Sequence, residues 1–250
     1  MKRKQFITAG VSIIILLACH KDKDKGPQTY FGTTVPLGKG SVRAFVTIDN
    51  QGRPATIGLR LTEDALNGLP TDTTGGREEY QNPIPLPDQA KITGIDHMEL
   101  DWNPYGHDPT AIYGVPHFDF HFYLISTQEQ AGVIPGPDTF SVAKAFIPQD
   151  YFSGVVAVPD MGVHWLDSTS LEFHGHPFTD TYIYGFYHGK MTFMEPMITA
   201  AFLATHPDYS MNVKQPAAFQ KSGYYPTIQQ VQFDQTQHEY VVTLAGLVHH

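Results

Sequence analysis

The 250-residue chain carries 25 acidic against 16 basic side chains, a formal charge of −9 with histidines neutral. So acidic a chain lacks the clustered Lys and Arg that a phosphate backbone demands, which excludes nucleic acid as a partner. A single cysteine excludes intramolecular disulfides, so stability must come from a hydrophobic core.

At the amino terminus, Lys2, Arg3 and Lys4 precede an apolar stretch, Val11 to Ala18, that is too short to span a bilayer and ends at the only cysteine. Leu16-Leu17-Ala18-Cys19 resembles the lipobox of bacterial lipoproteins. The resemblance implies a signal peptide over residues 1–18, a diacylglycerol on Cys19, and export to the periplasmic face or cell surface with the lipid as membrane anchor. His20 to Pro27 has no apolar side chain worth burying, so residues 19–30 read as a flexible tether and 31–250 as one β-rich domain.

Ser41 to Asp49 has β-branched residues in strand alternation. Asn50-Gln51-Gly52 supplies turn residues and Pro54 to Leu61 resumes the pattern, predicting a hairpin. Thr62 offers an N-cap to a short helix through Leu66, closed by Asn67-Gly68. Leu69 to Asp88 is rich in Pro, Gly, Thr and acids and predicts a long loop, a lid or rim. Further strands are expected at Ile92 to Trp102, His117 to Ile125, Val155 to Val158, Thr181 to Tyr187 and Lys190 to Met194, with a terminal hairpin from Ile228 to Phe233 and Glu239 to Leu247. Met197 to Thr205 carries both helix and strand signals. Many short strands between Gly and Pro turns predict an all-β fold, a single barrel or sandwich with short helices and long loops.

His117-Phe118-Asp119-Phe120-His121-Phe122-Tyr123-Leu124 holds the clearest chemistry. Period-two alternation puts Phe118, Phe120, Phe122 and Leu124 on one face, the expected core, and His117, Asp119 and His121 on the other. Same-face neighbours stand roughly 6.6 Å apart along a strand, so Asp119 is able to share an ion with either histidine, whereas the two histidines do not easily share one. Asp119 also suits the role of orienting one histidine while another binds metal. His164, between Val163 and Trp165, and Glu195, between Met194 and Pro196, sit in apolar surroundings where a titratable group is costly unless paired or metal-bound.

These five residues, His117, Asp119, His121, His164 and Glu195, form the candidate metal set, with zinc, copper, iron and manganese all suited to imidazole and carboxylate donors. The competing reading is a solvated polar face. His107 on a turn, and His174 and His176 near a Gly-Pro loop, read as structural. His97, alternating with Glu99 and Asp101, reads as a solvated face, and His249-His250 as a disordered end.

The Pro116 to Tyr123 run, with Met161-Gly162-Val163-His164-Trp165, Tyr184-Gly185 and Glu195-Pro196-Met197-Ile198-Thr199, resembles signatures of an uncharacterised bacterial family of exported domains over roughly Val42 to Leu203. That resemblance implies one domain and no particular reaction. The strand also invites comparison with α-type carbonic anhydrases and cupins, but the close His-x-His pair of those sites is missing. There is no Gly-x-Ser-x-Gly elbow, phosphate-binding Gly-Lys loop or His-Glu-x-x-His helix, so nucleophilic catalysis has no support. Function therefore reads as an envelope lipoprotein with a divalent-metal site and metal-dependent chemistry. The alternative is a non-catalytic binding or assembly module for a small ligand or carbohydrate, suggested by the aromatic strand containing Tyr182, Tyr184, Phe186 and Tyr187.

Overall fold

The structure is a computed structural model that describes residues 26–72, 74 and 79–250, so Cys19 and the signal-like terminus lie outside the described residues. In chain order the strands are β1 (Gln28–Phe31), β2 (Val35–Leu37), β3 (Gly40–Ile48), β4 (Pro54–Thr62), β5 (Tyr80–Ile84) and β6 (His97–Asn103). Next come β7 (His117–Tyr123), β8 (Gly136–Pro137), β9 (Tyr151–Val158), β10 (Gly162–Asp167), β11 (Asp180–Tyr187) and β12 (Lys190–Thr199). The last are β13 (Asp208–Asn212), β14 (Tyr224–Tyr225), β15 (Ile228–Asp234), β16 (Glu239–Ala245) and β17 (Val248–His249).

Two large antiparallel sheets result. One runs β1-β3-β4-β16-β15-β13, with β2 also on β3; the other runs β5-β6-β7-β12-β11-β10-β9-β8. Both are open at their ends, so the fold is sandwich-like and the barrel alternative fails. Alternation along each strand specifies which face is buried but says nothing about closure. Both expected hairpins form, β3 with β4 and β15 with β16. The stretch expected as a continuous loop contains β5, which pairs with β6 along Tyr80 to Ile84.

Local capping differs from expectation at one helix and resolves the ambiguity at another. Glu63–Leu66 is a single tight turn, and Thr62 does not cap it, because its hydroxyl instead accepts from the Ser41 amide at 2.9 Å. Met197 to Thr205 is strand up to Thr199, whose hydroxyl then caps a one-turn helix, Ala200–Leu203, by accepting from the Phe202 amide.

The main core lies between the sheets. Val42, Ala44 and Val46 of β3, Ile57, Leu59 and Leu61 of β4, and Val242 and Leu244 of β16 meet Leu100, Phe118, Phe120, Phe122, Tyr184 and Ile198 from the other sheet. Each Val, Ile, Leu or Phe among them contributes about 1.5–3 kcal/mol by leaving water. The opposite face of the second sheet is covered too. A smaller cluster, in which Tyr113, Met161 and Phe178 join Tyr123, Ile183, Phe193 and Met197 of that sheet, covers it, and every residue of β7 is buried. That second cover turns a polar strand face into an enclosed site.

Candidate functional site

Register assembles the site across five strands. On β7, His117, Asp119 and His121 face Asn103, Asp101 and Glu99 of β6 respectively. On its other side β12 brings Met197 opposite Asp119 and Thr199 opposite His117, while β11 places Ile183 beside Glu195. His164 of β10 lies opposite Gly185, which in turn lies opposite Phe193. A methyl group on Gly185 would stand 2.1 Å from the Phe193 ring, so only glycine lets that ring lie flat over β11. From there the Phe193 ring sets its plane edgewise to His121 at 4.9 Å and to His164 at 5.0 Å between centroids.

Two groups of donors emerge rather than one. His121, His164 and Glu195 bring one ligand atom each within 4.8 Å of one another, and so do His107, His117 and Asp119. Both groups are able to hold a metal ion. The five residues expected as one set are thus divided: His117 and Asp119 on one side, His121, His164 and Glu195 on the other. The strand's rise is the reason, since His117 and His121 are four residues apart.

In the first group, His121 Nε2 is 3.6 Å from Glu195 Oε1 and His164 Nε2 is 3.5 Å from Glu195 Oε2. Those gaps exceed the 2.7–3.2 Å of an N–H···O bond. They are close to the ~3.3 Å that separates neighbouring donors around a tetrahedral ion with bonds of about 2.0 Å. Asp101 Oδ2 stands 3.0 Å from His121 Nδ1, off the ring's hydrogen-bonding direction, and His121 Nε2, Glu195 Oε2 and both Asp101 oxygens have no hydrogen-bond partner. Orphaned buried polar atoms are costly, and so many in one place mark a binding site. Asp101, not Asp119, is thus the carboxylate that stands beside His121 Nδ1.

The electrostatics follow from enclosure. Burial pushes the Glu195 carboxyl up to about 8 despite the neighbouring His121 cation. Burial disfavours the His121 cation as well, but Glu195 and Asp101 outweigh it and lift the imidazole to about 10. His164 has no such support: burial, then repulsion from His121 and His107, drops it to about 3, leaving the neutral imidazole that binds metals. Burial raises Asp101 to about 6.

In the second group, Asp119 Oδ1 is 3.2 Å from His117 Nε2 and Asp119 Oδ2 is 3.5 Å from His107 Nε2, with Asn103 Nδ2 donating to Asp119 Oδ2 at 2.7 Å. Burial opposes ionisation of Asp119, yet His117 and His107 hold its carboxyl well below the usual range. His107 rises to about 9 because Asp119 more than offsets its burial.

Sequence reading missed three of these residues. His107 sits on a turn and reaches the site through Asp119 and the ring of His117, 4.7 Å away between centroids, and Asn103 precedes that turn. Asp101, read with His97 and Glu99 as a solvated face, is fully buried, while His97 stacks on Tyr123 at 4.6 Å and meets Gln130 through Nε2 at 2.9 Å. His174 and His176 are exposed and outside both groups, the former against the Ser168 carbonyl. The terminal His249 is ordered and belongs to β17, paired with Tyr224.

A cleft of about 1490 Å³ reaches both groups, lined by His107 and Asp119 of one and His164 of the other. Its lining is apolar at Phe152, Val156, Met161, Leu166, Phe173 and Ile183 and polar at Glu79, Asn82, Asn103 and Asp108. The loop expected as a rim contributes Pro70 and Thr74. Among the described residues no Lys or Arg lines it.

Fold and site together define an open β-sandwich with two histidine-histidine-carboxylate groups under one cleft. Over residues 49–102 the chain is similar to the TTHB210-like family, whose description is Hypothetical protein TTHB210. That segment runs from the turn before β4 through Trp102 of β6, so it includes Asp101 but ends before the histidine strand. Neither the curated proteins nor the solved structures give a match.

Proposed function

We propose that this chain is a metalloprotein of the cell envelope in which His121, His164 and Glu195 hold one divalent transition metal, and that the metal activates water for hydrolysis or hydration of a small molecule bound in the cleft. One observation carries the reading: His121, His164 and Glu195 each bring a ligand atom within 4.8 Å of the others, and the two imidazole Nε2 atoms stand 3.6 and 3.5 Å from the two Glu195 oxygens, too far to bond them. Two histidines and a carboxylate with a position open to solvent is a donor set used by catalytic zinc, which lowers the pKa of bound water to about 7. Copper, iron and manganese accept the same donors. The cleft's apolar lining and the absence of Lys and Arg among its described residues favour a partly apolar substrate without strongly anionic groups. The same apolar lining also supports the second reading, ligand binding without chemistry.

Elemental analysis of untagged protein, purified without added metal, tests this. About one ion per site is expected. His164→Ala, at a partly exposed position, should weaken binding beyond the about 10–100-fold that loss of an outer partner costs. His174→Ala should leave it unchanged. Folded wild-type protein that takes up neither zinc nor copper overturns the metal reading and leaves the binding module. The envelope location rests on the lipobox-like segment, and Cys19→Ser is expected to abolish radiolabelled-lipid incorporation and release the protein from the membrane fraction. Unchanged fractionation refutes the anchor.

A further inference from the structure

We propose that His107, His117 and Asp119 form a second metal site, with ligands separate from those of the first. Backbone carbonyls fix which ring nitrogens carry hydrogen. His117 Nδ1 is 2.7 Å from the Val115 carbonyl and His107 Nδ1 is 2.8 Å from the Asp108 carbonyl. A carbonyl only accepts, so in each ring Nδ1 holds the hydrogen and donates. In the neutral imidazoles, Nε2 is then a bare lone pair.

Both lone pairs point at one carboxylate, at 3.2 and 3.5 Å, and a carboxylate also has only lone pairs to offer. His117 Nε2 and Asp119 Oδ1 are buried without a hydrogen-bond partner, and His117 and Asp119 are 0 % and 2 % exposed. Acceptors converging on acceptors are relieved by a proton on an imidazole, by a water that donates to both, or by a metal. Three further features favour the metal. The backbone carbonyls fix the tautomer that presents Nε2, as the outer partners of metal-binding histidines do. Asn103 anchors one oxygen of Asp119 and leaves the other toward His117. His107 and Asp119 line the cleft, which gives an ion a way in.

The two sites do not merge. Asp119 and His121 are successive residues on one face, about 6.6 Å apart along the strand. Ions bridged in a shared centre lie about 3.5–4 Å apart. Each group has its own two imidazoles and its own carboxylate, so neither needs the other's ion to be complete.

The experiment counts zinc. Untagged protein stripped with chelator is re-equilibrated with zinc, freed of excess ion and measured by elemental analysis, with thermal melting to show that each variant is folded. His107→Ala and Asp119→Asn probe the second site, the former at a partly exposed position; His164→Ala probes the first. Two ions in the wild type, and one in each variant, is the expected result. One ion that survives His107→Ala and Asp119→Asn but not His164→Ala overturns the second site while sustaining the proposed metal centre. One ion lost in His107→Ala and Asp119→Asn and kept in His164→Ala sustains the second site and overturns the proposed centre. Zinc-free protein overturns both.

Discussion

Phe193→Ala is expected to lower stability by about 3–5 kcal/mol, the range for deleting a buried ring, and to weaken zinc binding at the His121 site by about 10–100-fold. For a domain of this size that corresponds to a fall in Tm of roughly 6–20 °C. The ring is fully buried and meets both imidazoles of that site edge-on, as well as Tyr123 at 5.7 Å. Removing it leaves a cavity into which His121 and His164 are free to rotate, and neither nitrogen of His121 has a hydrogen-bond partner to hold the ring. Phe120→Ala is the control: the same chemical deletion, on the strand face that packs into the main core. It should lose comparable stability and leave zinc affinity unchanged. Equal zinc affinity in the two variants would show that Phe193 supports the fold alone and does not position the ligands.

The contrast between those two phenylalanines also marks how far the sequence could be read. Period-two alternation on β7 separated Phe118, Phe120 and Phe122 from His117, Asp119 and His121 without error, because side-chain direction in a strand is a local property. Whether the polar face is covered is not local. The cover comes from Tyr113, Met161 and Phe178, which lie in other segments and show no periodicity toward β7. For the same reason Asp101 resembled a solvated acid on β6 when it is buried behind His121. His107 was illegible because a turn has no face, and only the fold brings its ring to Asp119. The division of five ligands into two groups was partly legible, since the strand's rise already kept His117 from sharing an ion with His121. Closure of the sheets was not, because open and closed sheets demand the same alternation.

Metal-free and zinc-loaded protein are expected to diverge in stability as pH rises from about 6.5 to about 8. Four groups set the sign for the metal-free form. Glu195 rises from an ordinary 4.5 to about 8, Glu79 of the cleft from 4.5 to about 7, His107 from 6.5 to about 9, and His121 from 6.5 to about 10. Raised folded values mean that the folded state holds protons the unfolded chain has already released. Their stabilisation is complete below the unfolded values and is lost as pH climbs through the folded ones, at about 1.4 kcal/mol per pH unit for each such proton. His164, lowered from 6.5 to about 3, and Asp119, held below its ordinary 3.8, have the opposite sign. Their contributions are present above 6.5 and above 3.8 respectively and disappear only on acidification, so they do not counter the fall between 6.5 and 8. Zinc reverses the dependence at Glu195, His107 and His121, because it occupies the positions of their protons and binds more tightly as these leave. At a free concentration of 100 times Kd it adds about 2.7 kcal/mol per site. The difference in Tm between zinc-loaded and EDTA-treated protein should therefore widen with pH, and Glu195→Gln should narrow it. A gap that is constant across this range would mean that the buried carboxylate and imidazoles do not exchange protons for metal, and would count against both sites.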